Sequence, residues 1–300
     1  MVKYEYMKDA LNLTWELRKT IKAFSNLDHL LMNIESAEGT RPLLENFVER
    51  MKENPVTDDF LKISQTYELI ARKEKELGKR SINYIFLDFM EEIGVETEIF
   101  GEENIPKSGG SLYVSNHPYG YLDGIALIGR LGSFIKEMGQ KFKVVASQNL
   151  KIIKGIEEVI SFVSSGNCKK SDFSCLRNSL KYLDNGGNLA VYPSGSSGGA
   201  ELKEYPWKTG IIPLVAHSSQ VVPMWLSGPD NGTMYNFLAR HKMTENLREI
   251  LGIRALWGKE GNKIVLNVGK PLRSKDIMSI ENKEDRIKYL RGCAENLAIF

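Results

Sequence analysis

From residue 3 to residue 92 apolar positions recur at helical intervals between charges. Leu11, Leu13, Trp15, Leu17, Ile21 and Phe24 make one series, and Phe60, Ile63, Tyr67, Ile70 and Ala71 make another. Such spacing predicts amphipathic helices that bury one face. Pro42 and the pair Asn54-Pro55 punctuate the segment, since proline removes a backbone donor and restricts the residue before it. The run Arg72 to Arg80, RKEKELGKR, reads as a solvated helix face that ends at Gly78.

The period changes after Gly94. Val95-Glu96-Thr97-Glu98-Ile99-Phe100 alternates as a half-buried strand does, and Gly101 opens a turn. Short apolar runs follow at Ser111–Ser115, Lys143–Ala146, Asn188–Tyr192, Gln220–Leu226 and Lys263–Val268. Helical patterns lie between several of them, at Asp123–Met138 and Asp172–Leu183. Asn185-Gly186-Gly187 is a helix stop, because glycine tolerates a left-handed cap. Strands alternating with helices predict an α/β fold with a mostly parallel central sheet flanked by helices. The expected organisation is a helical N-terminal region over 1–93 and an α/β domain over 94–300.

Composition adds mainly exclusions. Hydrophobic residues at 42% and charged residues at 26% over 300 positions leave room for a sizeable core and exclude disorder, collagen and coiled coil. The three cysteines, Cys168, Cys175 and Cys293, have no CxxC spacing, which argues against a zinc site or a disulfide framework and suits a reducing compartment. No apolar run reaches the ~20 residues of a membrane span. The opening MVKYEYMKDALN lacks the apolar core of a signal peptide. A cytoplasmic chain is therefore expected. The net charge of +2 conceals an asymmetry, with 14 Lys/Arg against 19 Asp/Glu up to residue 100 and 26 against 19 beyond it. The basic portion suits an anionic membrane surface or cofactor. No aromatic–basic interleaving or recognition motif supports nucleic acid.

Chemistry concentrates in SLYVSNHPYGYLDGIAL, residues 111–127. A short strand runs into Asn116-His117-Pro118-Tyr119-Gly120, and a helix begins near Asp123. Loops at the carboxyl ends of parallel strands are where such folds place ligands. Pro118 and Gly120 prevent a continuous helix, so the loop can fold the imidazole back onto the carboxylate. An Asp beside a His fixes its tautomer and supports the imidazolium, which suits His117 to general-base work. Singly, His117 reads as a turn residue and Asp123 as a helix N-cap; the combination between strand and helix is more specific.

At this point the chain resembles the glycerolipid acyltransferase superfamily, whose glycerol-phosphate and lysophospholipid acyltransferases carry Asn-His followed by four or five residues and Asp. The form here, Asn-His-Pro-x-Gly-x-x-Asp-Gly, looks like the hemolysin-like branch. Gly101-Glu102-Glu103-Asn104-Ile105-Pro106 is similar to the family's Gly-x-Glu-Asn-Ile-Pro. A second family element is a strand ending in Phe-Pro-Glu-Gly-Thr-Arg. Here the strand ends in Tyr192-Pro193-Ser194-Gly195-Ser196-Ser197-Gly198-Gly199, so proline and glycine match while Glu and Arg do not. Trp207-Lys208-Thr209-Gly210 resembles the family's Lys-x-Gly, Val221-Val222-Pro223-Met224 its Val-Pro-Val strand, and Val268-Gly269-Lys270-Pro271-Leu272 its closing Gly-x-Pro. The resemblance covers roughly residues 95–275.

The resemblance implies transfer of an acyl group from a thioester, on acyl-CoA or acyl-carrier protein, to a hydroxyl or amine of a lipid or lipid-like acceptor. His117 would be the base and Asp123 its support, with no resident cofactor and no metal. Substrate-binding candidates are Asn116, Tyr192, Pro193, Ser194, Gly195, Ser196, Ser197, Gly198 and Lys208, with amides of the Ser194–Gly199 turn facing the oxyanion. Expected partners are the thioester donor, the lipid acceptor and a membrane surface approached peripherally, on its inner face. The competing expectation is a non-catalytic lipid- or acyl-binding protein on the same fold, which the missing Glu and Arg favour. His29, His217 and His241 have no comparable context and read as structural or surface residues.

Overall fold

The computed structural model describes residues 37–53, 55–147, 150, 153–163, 170–197, 204–228, 252–254, 256–257 and 262–298. The apolar series from Leu11 to Phe24, together with His29, His241, Cys168, Gly198 and Gly199, lies outside them. Among the described residues four helices come first: α1 (Ala37–Lys52), α2 (Pro55–Leu61), α3 (Ile63–Glu74) and α4 (Ile82–Glu92). The charged run after Arg72 departs from expectation. The helix ends at Glu74, and Lys73 is largely buried, its Nζ facing Glu92 at 3.5 Å, Glu76 at 3.9 Å and Asp88 at 4.0 Å. A buried ammonium needs such carboxylates to replace water.

The sheet strands are β1 (Val95–Phe100), β2 (Ser111–Ser115), β3 (Phe142–Ser147), β4 (Ile160–Val163), β5 (Asn188–Val191), β6 (Gln220–Ser227), β7 (Asn262–Val268) and the short β8 (Leu272–Arg273). They are ordered β1-β7-β6-β2-β5-β3-β4, with β8 beside β6. From β6 to β4 every neighbour is parallel, β7 runs antiparallel to β6, and β1 is parallel to β7. The mostly parallel sheet flanked by helices is therefore present. β4 and β8 were absent from the sequence expectation, because two to four residues carry too little alternation to be seen.

Apolar layers form on both faces. Tyr113, Val144, Ala190 and Val222 join a cluster with Phe89 and Met90 of α4. Leu112, Val114, Leu189 and Val221 join another with Leu183, Val215 and Leu290. These last come from α7 (Lys170–Asp184), α8 (Ile212–His217) and, after α9 (Ser274–Met278), α10 (Lys283–Glu295). Alternate residues of one strand thus serve opposite layers, which explains why β2 is buried at every position. The apolar core also runs across the change of texture at residue 93. Two family-like stretches meet at the rim, where the Asn104 amide donates to the Val268 carbonyl at 2.9 Å.

The helix expected over Asp123–Met138 begins at Tyr121 and is not uniform. It is α5 (Tyr121–Ala126), a π-turn over Leu127–Leu131, and α6 (Gly132–Glu137). The wider turn accompanies close packing on α4. A Cβ at Gly129 would lie 3.1 Å from the Leu87 nitrogen, and one at Gly132 would lie 2.4 Å from Asn83 Nδ2. Asn83 Nδ2 donates to the Ile128 carbonyl at 2.9 Å, satisfying a buried acceptor in the π-turn. Among the described residues no helix is long and apolar enough to cross a membrane.

Asn83→Ala would orphan that carbonyl, a loss of about 1–3 kcal/mol. The expected outcome is a lower denaturant midpoint with unchanged slope, measured by circular dichroism.

Candidate active site

β2 lies inside the parallel part of the sheet, between β6 and β5, and its carboxyl end delivers Asn116 and His117. Asn116 is 3% exposed. Its Nδ2 donates to the Leu226 carbonyl at 2.9 Å, and its Oδ1 accepts from the Leu226 amide at 2.6 Å. The amide is thus occupied in clamping β2 to β6. Asn116, expected among the substrate-binding residues, here braces the loop that carries His117.

Beyond the clamp the chain reverses. Gly120 has φ 66° and ψ −125°, a conformation that side chains resist. Asp123 then falls in the first turn of α5. Its Oδ2 stands 2.7 Å from His117 Nδ1 and also accepts the Tyr119 amide at 2.8 Å. Asp123 is fully buried, whereas the His117 side chain keeps 19% exposure. Because a carboxylate only accepts, Nδ1 of the neutral imidazole carries the proton and Nε2 is its basic nitrogen.

Tyr192, one residue past β5, stacks on the imidazole with ring centroids 4.1 Å apart and planes 9° apart. Burial, then the charges of Asp123 and Glu204, hold its phenol well above its usual range. The ring therefore acts as a neutral wall against one face of His117.

The turn after β5 is partly as expected. Ser194 is 1% exposed, and its hydroxyl donates to the Ser196 carbonyl at 3.0 Å. Gly195 has φ 68°, and its amide donates to the Tyr192 carbonyl at 2.9 Å. That amide closes the turn, which withdraws it from the set expected to face an oxyanion. The Lys208 amide donates to the Pro193 carbonyl at 2.9 Å. Lys208 Nζ lies 3.1 Å from where a Gly195 Cβ would stand. Ser196 is exposed and Ser197 half-buried. Pro193, Ser194, Gly195 and Lys208 thus form one cluster.

Glu204 joins that cluster to His117, and sequence reasoning missed it. Its Oε2 accepts the His117 amide at 3.0 Å, and its Oε1 accepts the Trp207 indole N–H at 3.0 Å. Burial pushes its carboxyl above the usual range, opposed by hydrogen bonds from the His117 amide, Trp207 and Ser194. A contact across 87 residues of sequence leaves no local spacing to read. Elsewhere His217 pairs with Asp184 at 2.9 Å on the surface. Among the described residues no three His, Cys, Asp or Glu side chains converge as a metal site.

Residues 96–227 match the model of the family described as Acyltransferase. The chain is 28% identical over 184 residues to the lyso-glycine lipid O-acyltransferase of Phocaeicola vulgatus, covering 59% of this chain and 62% of that protein. It is 27% identical over 169 residues to the lyso-glycine lipid O-acyltransferase of Bacteroides thetaiotaomicron, covering 55% and 58%. The chain thus spans about three-fifths of the length of these curated relatives. The crystal structure of the 1-acyl-sn-glycerophosphate acyltransferase PlsC from Thermotoga maritima aligns over 99% of this chain and 96% of that one, at TM-score 0.47 and 16% identity.

The raised carboxyl of Glu204 has a consequence for stability. An acid held above its unfolded value keeps its proton longer in the native state, so its contribution falls as pH rises from 4.5 through the folded value. Glu204→Gln cannot titrate. The melting temperature of the variant minus that of wild type should therefore climb across this window and then level off. Calorimetry in steps from about pH 4 to pH 7 checks this sign.

Proposed function

We propose that the protein, whose residues 96–227 match the Acyltransferase family model and which is similar to two lipid O-acyltransferases, moves a fatty acyl group from a thioester donor to an acceptor hydroxyl on a lysolipid. The observation that carries this reading is the 2.7 Å pairing of His117 Nδ1 with the buried Asp123 carboxylate at the end of β2. His117 Nε2 takes the hydroxyl proton as the oxygen attacks the thioester carbonyl. The tetrahedral intermediate collapses, the carbon–sulfur bond breaks, and the proton passes from Nε2 to the departing thiolate. Asp123 supports the imidazolium throughout, so both substrates react in one ternary complex without an acyl-enzyme. Free amides of the turn beginning at Ser194 are suited to the oxyanion. Acyl-CoA and acyl-carrier protein are the donors to compare.

The acceptor follows from the turn. Ser194, Ser196 and Ser197 are uncharged and cannot replace an arginine fork for a phosphomonoester. Lys208 offers a single point charge beside Gly195. The relatives named as lyso-glycine lipid O-acyltransferases support a lyso-glycine lipid as the acceptor rather than one with a terminal phosphate. The basic excess after residue 100 suits peripheral approach to an anionic bilayer carrying that acceptor.

Two measurements test this reading. In an assay of thiol release from acyl-CoA with lysolipid, His117→Ala should lose about 10²–10⁴ in rate while melting as wild type does. Asp123→Asn should retain a small residual rate. A variant at His117 that keeps more than about a tenth of the rate rules out the base assignment. With one donor and side-by-side acceptors, lyso-glycine lipid should outrun lysophosphatidate and glycerol 3-phosphate by about tenfold or more, the scale of a lost charge-assisted contact. A preference for lysophosphatidate would reverse the acceptor assignment.

A further inference from the structure

We propose that Glu204 is a positioning residue for His117, supplying from a separate segment the carboxylate that the superfamily's pattern carries inside the turn. The proposal rests on the acyltransferase reading above and deepens it at the same site. Where the family pattern has glutamate, this chain has Ser194, which carries no carboxylate. Ser194 is nevertheless buried at 1% exposure, its hydroxyl donating to the Ser196 carbonyl while lying close enough to Glu204 to oppose the upward shift of that carboxyl. A carboxylate therefore stands beside this turn, although the turn itself carries none.

The geometry shows what it does there. Glu204 bridges two donors, the His117 amide and the Trp207 indole, each at 3.0 Å. Trp207 is 7% exposed and sits in the second apolar cluster. The next residue, Lys208, ties the segment to the Pro193 carbonyl at 2.9 Å. The Glu204–Lys208 segment is therefore fastened both to the turn and to the core, and its carboxylate passes that rigidity to the His117 backbone. His117 is then constrained three ways: at its amide by Glu204, at Nδ1 by Asp123 and on one face by Tyr192. Nε2 is the ring atom left for chemistry. Only a carboxylate can accept at both of its oxygens; glutamine would turn an NH₂ toward one of the two N–H donors.

The test uses the full chain with Glu204→Gln and the double variant Ser194→Glu/Glu204→Gln. Displacement of a reacting group by ~1 Å costs about 10²-fold, so Glu204→Gln should lose about that factor in kcat, with KM for the lysolipid within about threefold of wild type. Ser194→Glu should restore kcat to within about tenfold of wild type in the double variant, because the carboxylate again reaches the His117 amide from inside the turn. The substrate-free readout is the His117 backbone amide in a ¹H–¹⁵N spectrum. Its proton should lie downfield in wild type, move upfield in Glu204→Gln and return in the double variant. An unmoved resonance, an unchanged kcat in Glu204→Gln, or a folded double variant with no recovery overturns the proposal. If wild type turns over no thioester with any acceptor, the acyltransferase reading fails instead, and the amide shift still decides whether Glu204 holds His117. If Glu204→Gln does not fold, the double variant and its amide shift carry the decision.

Discussion

Asp123 is wholly buried, and an ionised carboxylate removed from water costs several kcal/mol unless fixed donors replace its hydration. The Tyr119 amide and the His117 ring are such donors, and both come from the loop that precedes Asp123. The loop must therefore fold back on itself, and each feature before the helix serves that requirement. Asn116 holds the strand end against β6, Gly120 permits the reversal, and the first turn of α5 presents the carboxylate inward. The geometry of the candidate site and local stability thus share one set of contacts. A change that frees Asp123 from His117 also exposes or strands a charge.

The sheet supplies the rigidity around this loop. Because β2 has parallel neighbours on both sides and apolar layers above and below, its carboxyl end has little freedom. The adjacent strand β5 delivers Tyr192 to the face of His117, and β6 delivers the Leu226 backbone to Asn116. Three neighbouring strands therefore meet around the loop that carries His117. The helix that bears Asp123 is braced from the far side by α4, through glycines that let the backbones approach and through the Asn83 side chain.

Much of this arrangement was legible because it is local. Pro118, Gly120 and Asp123 lie within six residues of His117, and the alternation of apolar runs with helices marks the sheet. What was hidden depends on contacts distant in sequence. Glu204 stands in a segment of no recognisable pattern, and its importance comes from a strand end 87 residues away. Ser194 stands where the resemblance leads one to expect a glutamate, and only the folded chain brings the Glu204 carboxyl beside it. The bond of the Asn116 amide to the Leu226 backbone was likewise hidden, because the two residues lie 110 positions apart. The π-turn after Ala126 was equally invisible, since it follows from the close approach of α4 to Gly129 and Gly132.

The edge strand β1 has a consequence for how the chain is made. Its register partner for Val95 is Asn262 on β7, so ~165 residues of sequence separate the two. At about 5–20 residues per second, β1 leaves the ribosome on the order of ten seconds before β7 exists. During that interval its backbone donors and acceptors are open to any passing strand. Glu96 and Glu98 stand on this segment, and charges on an unpaired edge repel such pairing. The alternating acidic residues that mark β1 in the sequence thus also guard it while synthesis continues, and β1 gains its neighbour in the sheet only when β7 arrives.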